Sequence, residues 1–305
     1  VAAKLSGALG AVVGGWLAWR ILGPETTPRY PPRQERPLRL VGRSLFVGER
    51  EFFVREAGPD GAPVIVLIHG WSLDGEMTFH RIIPDLANRF RLVVPDLRNH
   101  GRSDWIRSPF TIDDLAADVA GVLDALDIRQ ATILGYSLGG MVAQVLAIRY
   151  PRFVRRLVLA GTAARPIDRF RPAAWIGMRA VRALARISRR ELSYATTMVV
   201  ERSGGIAPRH RRWMFEALMR RDPALFYEAG FAAWHFDNRD GLAGIDVPTL
   251  VIIPTDDQVV PARTQYEMAA GIPHADVIEL RGARHESVLS RPHEYSAAIG
   301  RFATE

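Results

Sequence analysis

Residues 135–140 read Gly135-Tyr136-Ser137-Leu138-Gly139-Gly140, and their flanks settle how they are read. Ala131–Leu134, just before them, is a short continuous apolar run, the pattern of a strand buried on both faces. Leu138–Tyr150 carries a helical pattern. A Gly-x-Ser-x-Gly between a strand and a helix makes a sharp, strained turn, with glycines where side chains would clash. Such a turn lifts the Ser137 hydroxyl above the sheet, and the helix N-terminus behind it favours negative charge as it develops. The blander alternative is a Gly/Ser turn in a doubly wound protein with no nucleophile. The strand–turn–helix context favours the nucleophile.

Working outward, the buried-strand pattern recurs at Val64–Ile68, Arg91–Pro95, Arg156–Ala160 and Pro248–Ile253. Glu51–Glu56 reads as a strand followed by the turn Pro59-Asp60-Gly61, and Asp276–Leu280 reads as the last strand. Helical patterns lie between them at Phe79–Asn88 and Ile112–Leu126. This alternation predicts an α/β fold: a mainly parallel twisted sheet with helices on both faces. It stops between Ala160 and Pro248, where helical patterns run with no clear buried strand. The expectation is a core over residues 41–162 and 246–305, with a helical, Arg-rich cap inserted at 163–245.

The chain has 305 residues, 48% hydrophobic and 24% charged, which suits a globular protein that needs no staples to fold. It has no Cys, so disulfides, a Cys nucleophile and thiolate metal sites are excluded. The net charge is +7, and every basic residue except Lys4 is Arg. Residues 163–245 hold 15 Arg against 8 Asp/Glu, so the excess lies in the cap. No groove-binding motif accompanies it, and no nucleic-acid partner is expected.

The first 40 residues differ from the rest. Leu5–Trp19 is an uncharged apolar run of 15 between Lys4 and Arg20, and Ser6, Gly10, Gly14 and Ala18 form a small-xxx-small ladder. The run reads as a signal peptide without a good cleavage site, as a short anchoring helix, or as a helix packed on the protein's own surface. The ladder tilts the reading toward membrane association, with a cytoplasmic location as the alternative and secretion less favoured. Pro24–Pro37, rich in Pro and Arg, reads as an extended linker.

A serine hydroxyl needs a base, and the base needs an orienting carboxylate. His285, in Gly282-Ala283-Arg284-His285-Glu286, follows the last expected strand. His274 precedes that strand and His293 falls within the terminal helix; His80 and His210 sit on helical segments, and His235 belongs to the cap, where it could line a pocket. Asp257 follows the strand ending at Pro254, with Asp256 beside it as a rival. The chain order Ser…Asp…His is the one used by α/β-hydrolases.

The chain resembles the α/β-hydrolase fold superfamily, as a serine esterase- or lipase-like member with a helical cap, from about Val41 to Phe302. His69-Gly70-Trp71 is similar to the family's oxyanion loop, and Asp96-Leu97-Arg98-Asn99-His100-Gly101-Arg102-Ser103 to its D-x-R-x-x-G-x-S loop. Asp257-Gln258-Val259-Val260-Pro261 resembles its D-x-x-V-P acid motif, which favours Asp257 over Asp256. His285, with Pro292 downstream, resembles its terminal histidine loop. The resemblance implies Ser137 as nucleophile, His285 as base, Asp257 as orienter, and the backbone N–H groups of Trp71 and Leu138 as the oxyanion hole. It implies structural roles for His69 and His100, and no metal or organic cofactor.

The activity so implied is hydrolysis of carboxylic ester or thioester bonds, of the carboxylesterase, lipase or thioesterase type, through an acyl-enzyme on Ser137. Serine at position 137 argues against dehalogenases and epoxide hydrolases of this fold, which carry Asp there. A carbon–carbon-bond hydrolase, weakened by Tyr136 where Asn is usual, and a menaquinone-pathway-type synthase are alternatives, as is a non-catalytic binding protein. The Arg-rich cap and the apolar N-terminal run together suggest a lipid or small-molecule acyl substrate and contact with an anionic membrane surface.

Overall fold

The computed structural model describes residues 36–38, 40–165, 176–180, 182 and 189–305. The expected N-terminal helix and part of the cap lie outside these residues. Among the described residues no helix is long and apolar enough to cross a membrane.

The elements run β1 (Gly42–Val47), β2 (Arg50–Ala57), β3 (Val64–Ile68), α1 (Gly75–Phe79), α2 (Ile83–Leu86), β4 (Arg91–Pro95), α3 (Ile112–Ala125), β5 (Ala131–Tyr136), α4 (Leu138–Arg149) and β6 (Val154–Ala160). Then come α5 (Arg189–Arg202), α6 (Arg211–Arg220), α7 (Phe226–His235), β7 (Thr249–Pro254), α8 (Ala262–Ala270), β8 (Ala275–Leu280), α9 (Ser287–Ser290) and α10 (Pro292–Phe302). One sheet has the order β1-β2-β4-β3-β5-β6-β7-β8. Its first two pairings are antiparallel and the rest parallel.

The expected α/β architecture with its inserted helical segment is present, because each buried-strand run found a place in the parallel part. Successive residues of β3 face opposite layers: Val66 and Ile68 pack in the core shared with α3 and α4, and Ile65 and Leu67 in the core shared with α1, α2 and α10. That is the strand period of two, with apolar residues on both faces. β6 and β7 are direct neighbours, so the chain leaves the sheet after Ala160, forms α5–α7, and returns beside the strand it left.

One local expectation is corrected, and one strand is added that the sequence reading did not include. The helix expected over Phe79–Asn88 is instead two short ones, α1 ending at Phe79 and α2 starting at Ile83. Pro84 falls in the first turn of α2, where its missing N–H costs nothing. Placed deeper in one continuous helix, it would break a hydrogen bond. Strand β1 gave no clear pattern, because it is an edge strand with alternate side chains in water; Phe46 is 68% exposed.

β2 carries the cation that holds two loops of the site together. Arg55 donates to Asp96 Oδ1 at 2.7 Å and to Glu76 Oε2 at 3.1 Å, and all three side chains are buried. Asp96 also accepts from the backbone N–H groups of Gly75 and Arg102, each at 3.0 Å. The loops after β3 and β4 are therefore pinned to one ion cluster. Removing one partner leaves buried charge uncompensated, so Arg55→Leu is expected to lower unfolding stability by roughly 3–5 kcal/mol in urea titrations. A loss below about 1 kcal/mol would mean that the freed carboxylates regain solvent.

Candidate active site

Strand order reverses around β3: β4 lies on one side of it and β5 on the other. In open α/β sheets the crevice at the carboxyl ends of such strands is where ligands bind. Ile68, at the end of β3, pairs in register with Gly135 near the end of β5. The loop carrying Trp71 and the turn carrying Ser137 therefore leave the sheet side by side.

Ser137 has φ +52° and ψ −117°, a strained conformation for a non-glycine residue. Its N–H donates to the carbonyl of Ala160 at 2.9 Å, which ties the turn to the neighbouring strand. A side chain at Gly139 would place Cβ 2.1 Å from the carbonyl oxygen of Ile68, so only glycine lets α4 start this close to β3. Leu138 opens α4, and its N–H has no acceptor within the helix.

β7 and β8 deliver the other two expected residues. His285 Nε2 lies 3.0 Å from Ser137 Oγ, and its Nδ1 lies 2.8 Å from Asp257 Oδ2. With Nδ1–H donating to the carboxylate, Nε2 is left as an acceptor facing the serine hydroxyl. Asp257 is buried; its Oδ1 accepts from the backbone N–H groups of Val259 and Val260, each at 2.8 Å. Gln265 Nε2 donates to Oδ2 at 3.2 Å and to the carbonyl of Val260 at 2.7 Å, bracing the acid loop. Asp256 is exposed and its carboxylate accepts only from Thr255 Oγ1, at 3.2 Å, among the described residues. The structure brings Ser137, His285 and Asp257 into one relay and leaves Asp256 out of it.

The other histidines are elsewhere. His274 and His293 are exposed surface residues. Burial pushes His80 down to about 4 and His69 to about 3, so both stay neutral at ordinary pH. His69 Nε2 accepts from the N–H of Leu97 at 2.9 Å and its Nδ1 faces the carbonyl of Gly70 at 2.8 Å, which braces the loop after β3. His235 lines a cleft of ≈ 730 Å³ between α7 and the helices α3 and α4, lined by none of the relay residues.

Trp71 is held from two sides. Its carbonyl faces His100 Nε2 at 2.7 Å. Its indole N–H donates to the carbonyl of Phe226 at 2.8 Å, and its ring stacks on the Phe226 ring at 5.2 Å. Arg221 adds a bond to the carbonyl of Ser72 at 3.2 Å, and Asn99 Nδ2 donates to the carbonyl of Leu225 at 3.1 Å. The loop expected to supply an oxyanion donor is thus fastened to the inserted helices. The contacts of Asn99 with Leu225 and of Arg221 with Ser72 carry no sequence signal, because the partners are backbone atoms far away in the chain; the role of Gln265 went unread although its partners, Asp257 and Val260, are eight and five residues away.

The chain belongs to the α/β hydrolase fold family, whose pattern it matches over residues 63–292. It is similar to an enol-lactonase from Burkholderia xenovorans LB400, with a TM-score of 0.76 and 29% identity, covering 86% of this chain and 100% of that one. A pimeloyl-[acyl-carrier protein] methyl ester esterase from Neisseria meningitidis is 30% identical over 256 residues, 81% of this chain and 95% of the relative. A 2-hydroxymuconate semialdehyde hydrolase from Pseudomonas sp. (strain CF600) is 28% identical over 277 residues, 87% of this chain and 94% of the relative. Family membership alone therefore does not choose the bond that is cleaved.

Proposed function

We propose that this protein is a serine hydrolase of carboxylic ester or thioester bonds, with Ser137, His285 and Asp257 as its catalytic triad. The observation that carries the reading is the relay itself: hydroxyl to imidazole at 3.0 Å and imidazole to buried carboxylate at 2.8 Å. The names of two relatives, a lactonase and a methyl ester esterase, support ester cleavage in particular.

In this reading His285 takes the Ser137 proton as the oxygen attacks an acyl carbonyl. The new negative charge collects on the former carbonyl oxygen, between the N–H groups of Trp71 and Leu138. Each such donor is worth about 3–4 kcal/mol in comparable sites. The imidazolium, stabilised by Asp257, protonates the departing alcohol or thiol. Water, deprotonated by the same imidazole, then releases the acid from the acyl-enzyme and restores the hydroxyl.

A fluorophosphonate probe tests the nucleophile, and a chain-length series of nitrophenyl esters and acyl-CoAs tests the bond. The expected outcome is one covalent adduct, mapped by mass spectrometry to Ser137, and turnover on at least one series. No adduct would leave a scaffold with a hydrolase fold. An adduct without turnover on any ester or thioester would overturn the bond assignment alone.

A further inference from the structure

We propose that Tyr136 is a positioning residue that fixes the histidine loop against the turn carrying Ser137. The inference rests on the triad reading above and concerns what holds its parts together.

The relay joins elements that the sheet does not join. Ser137 follows β5 and His285 follows β8, and β6 and β7 lie between them. No ladder hydrogen bond therefore links the two strands, and small shifts in sheet twist would change the Ser137–His285 distance. The backbone of the histidine loop is fastened to its neighbour, the acid loop. Asp256 N–H donates to the carbonyl of Ala283 at 2.9 Å, and Gly282 N–H donates to Thr255 Oγ1 at 2.8 Å. Those bonds set His285 relative to Asp257 but not relative to Ser137.

Tyr136 spans that gap. Its hydroxyl donates to the carbonyl of His285 at 2.5 Å. Among the described residues, the hydrogen bonds that connect residues 135–141 to residues 281–291 are this one and the Ser137–His285 contact itself. The phenol ring also lies 5.4 Å from the imidazole, centroid to centroid. The ring is held in a slot. A Cβ built on Gly70 would be 3.1 Å from one edge of it, and a Cβ on Gly161 would be 3.4 Å from the other. Tyr136 thus touches the loop after β3, adjoins the nucleophile through the chain, and bonds the base. Burial raises the phenol well above its ordinary value, so it stays a donor throughout the working pH range.

Tyr136→Phe keeps the ring in its slot and removes only the bond to the histidine loop. Misplacement by about 1 Å can cost on the order of 10²-fold, so a loosened tie is expected to lower kcat about tenfold with KM within about twofold. The rate of fluorophosphonate labelling should fall by a similar factor, and the downfield imidazole proton shared with Asp257 should broaden in the proton NMR spectrum. Rates are compared per folded molecule, with folding checked by near-UV circular dichroism. Unchanged kcat and labelling would overturn the proposal, even with a lowered Tm, because the tyrosine would then serve stability alone. A rise in KM at constant kcat would also overturn it, placing Tyr136 against the substrate. Ser137→Ala is the control for the reading beneath. If it keeps full ester turnover, the triad itself is wrong; if it is inactive while Tyr136→Phe matches wild type, only the tie is lost.

Discussion

Asp257→Asn is expected to lower kcat by about 10³- to 10⁴-fold, while Asp256→Asn stays within about threefold of wild type. The two residues are neighbours, yet the turn after β7 leaves one side chain exposed and the other buried. Asp257 is buried, and its Oδ1 is already committed to the N–H groups of Val259 and Val260. An asparagine there must keep its carbonyl oxygen on those donors, so its NH₂ faces His285 Nδ1. That nitrogen would then have to accept, which moves the ring proton to Nε2, 3.0 Å from Ser137 Oγ. An Nε2 that carries the proton cannot receive one from the serine. The Asp256 side chain is exposed and, among the described residues, bonds only Thr255 Oγ1. Steady-state kinetics on a nitrophenyl ester, with labelling by fluorophosphonate as a second readout, decides the matter. Comparable losses in the two variants would remove Asp257 from the orienting role.

Gly139→Ala is expected to reduce kcat/KM at least about 10²-fold, by displacing backbone rather than by touching the proposed triad. The added methyl would lie 2.1 Å from the Ile68 carbonyl oxygen and 2.7 Å from that of His69. Both neighbours are backbone at the end of β3, so no side chain can swing away to make room. The start of α4 and the loop leading to Trp71 must separate, and these carry the two N–H groups proposed to bind the oxyanion. Overpacking of this kind also costs roughly 1–3 kcal/mol of stability. Gly244→Ala is the matched control, since among the described residues nothing lies within 4 Å of a Cβ there. If Gly139→Ala retains activity within twofold, close approach at this point is not what the site depends on.

The parallel strands were legible because a strand covered on both faces has to be apolar at every position, whatever surrounds it. Val64–Ile68 satisfies that condition throughout, and Ala131–Leu134 and Pro248–Ile253 satisfy it at every position but one buried threonine each, Thr132 and Thr249. Edge strand β1 faces water on alternate residues and left no such mark. The helical reading over Phe79–Asn88 failed for a related reason. Periodicity reports which residues are buried, and Phe79, Ile82, Ile83, Leu86 and Phe90 are buried at helical spacing although a turn separates α1 from α2.

The sequence by itself determined the class of fold, the turn at Ser137, and the order in which serine, acid and histidine arrive. These follow from short-range constraints: backbone conformations that only certain residues tolerate, and apolar runs that cannot face water. The tertiary structure alone decided the rest. It showed that Asp257 is buried against His285 with Asp256 in solvent, that Tyr136 reaches the histidine carbonyl, and that Trp71 is fastened to Phe226. Each of these is a contact between residues 28 to 155 positions apart, set by how strands stack and helices close over them. No local pattern encodes such a distance, because it is the sum of every packing choice in between.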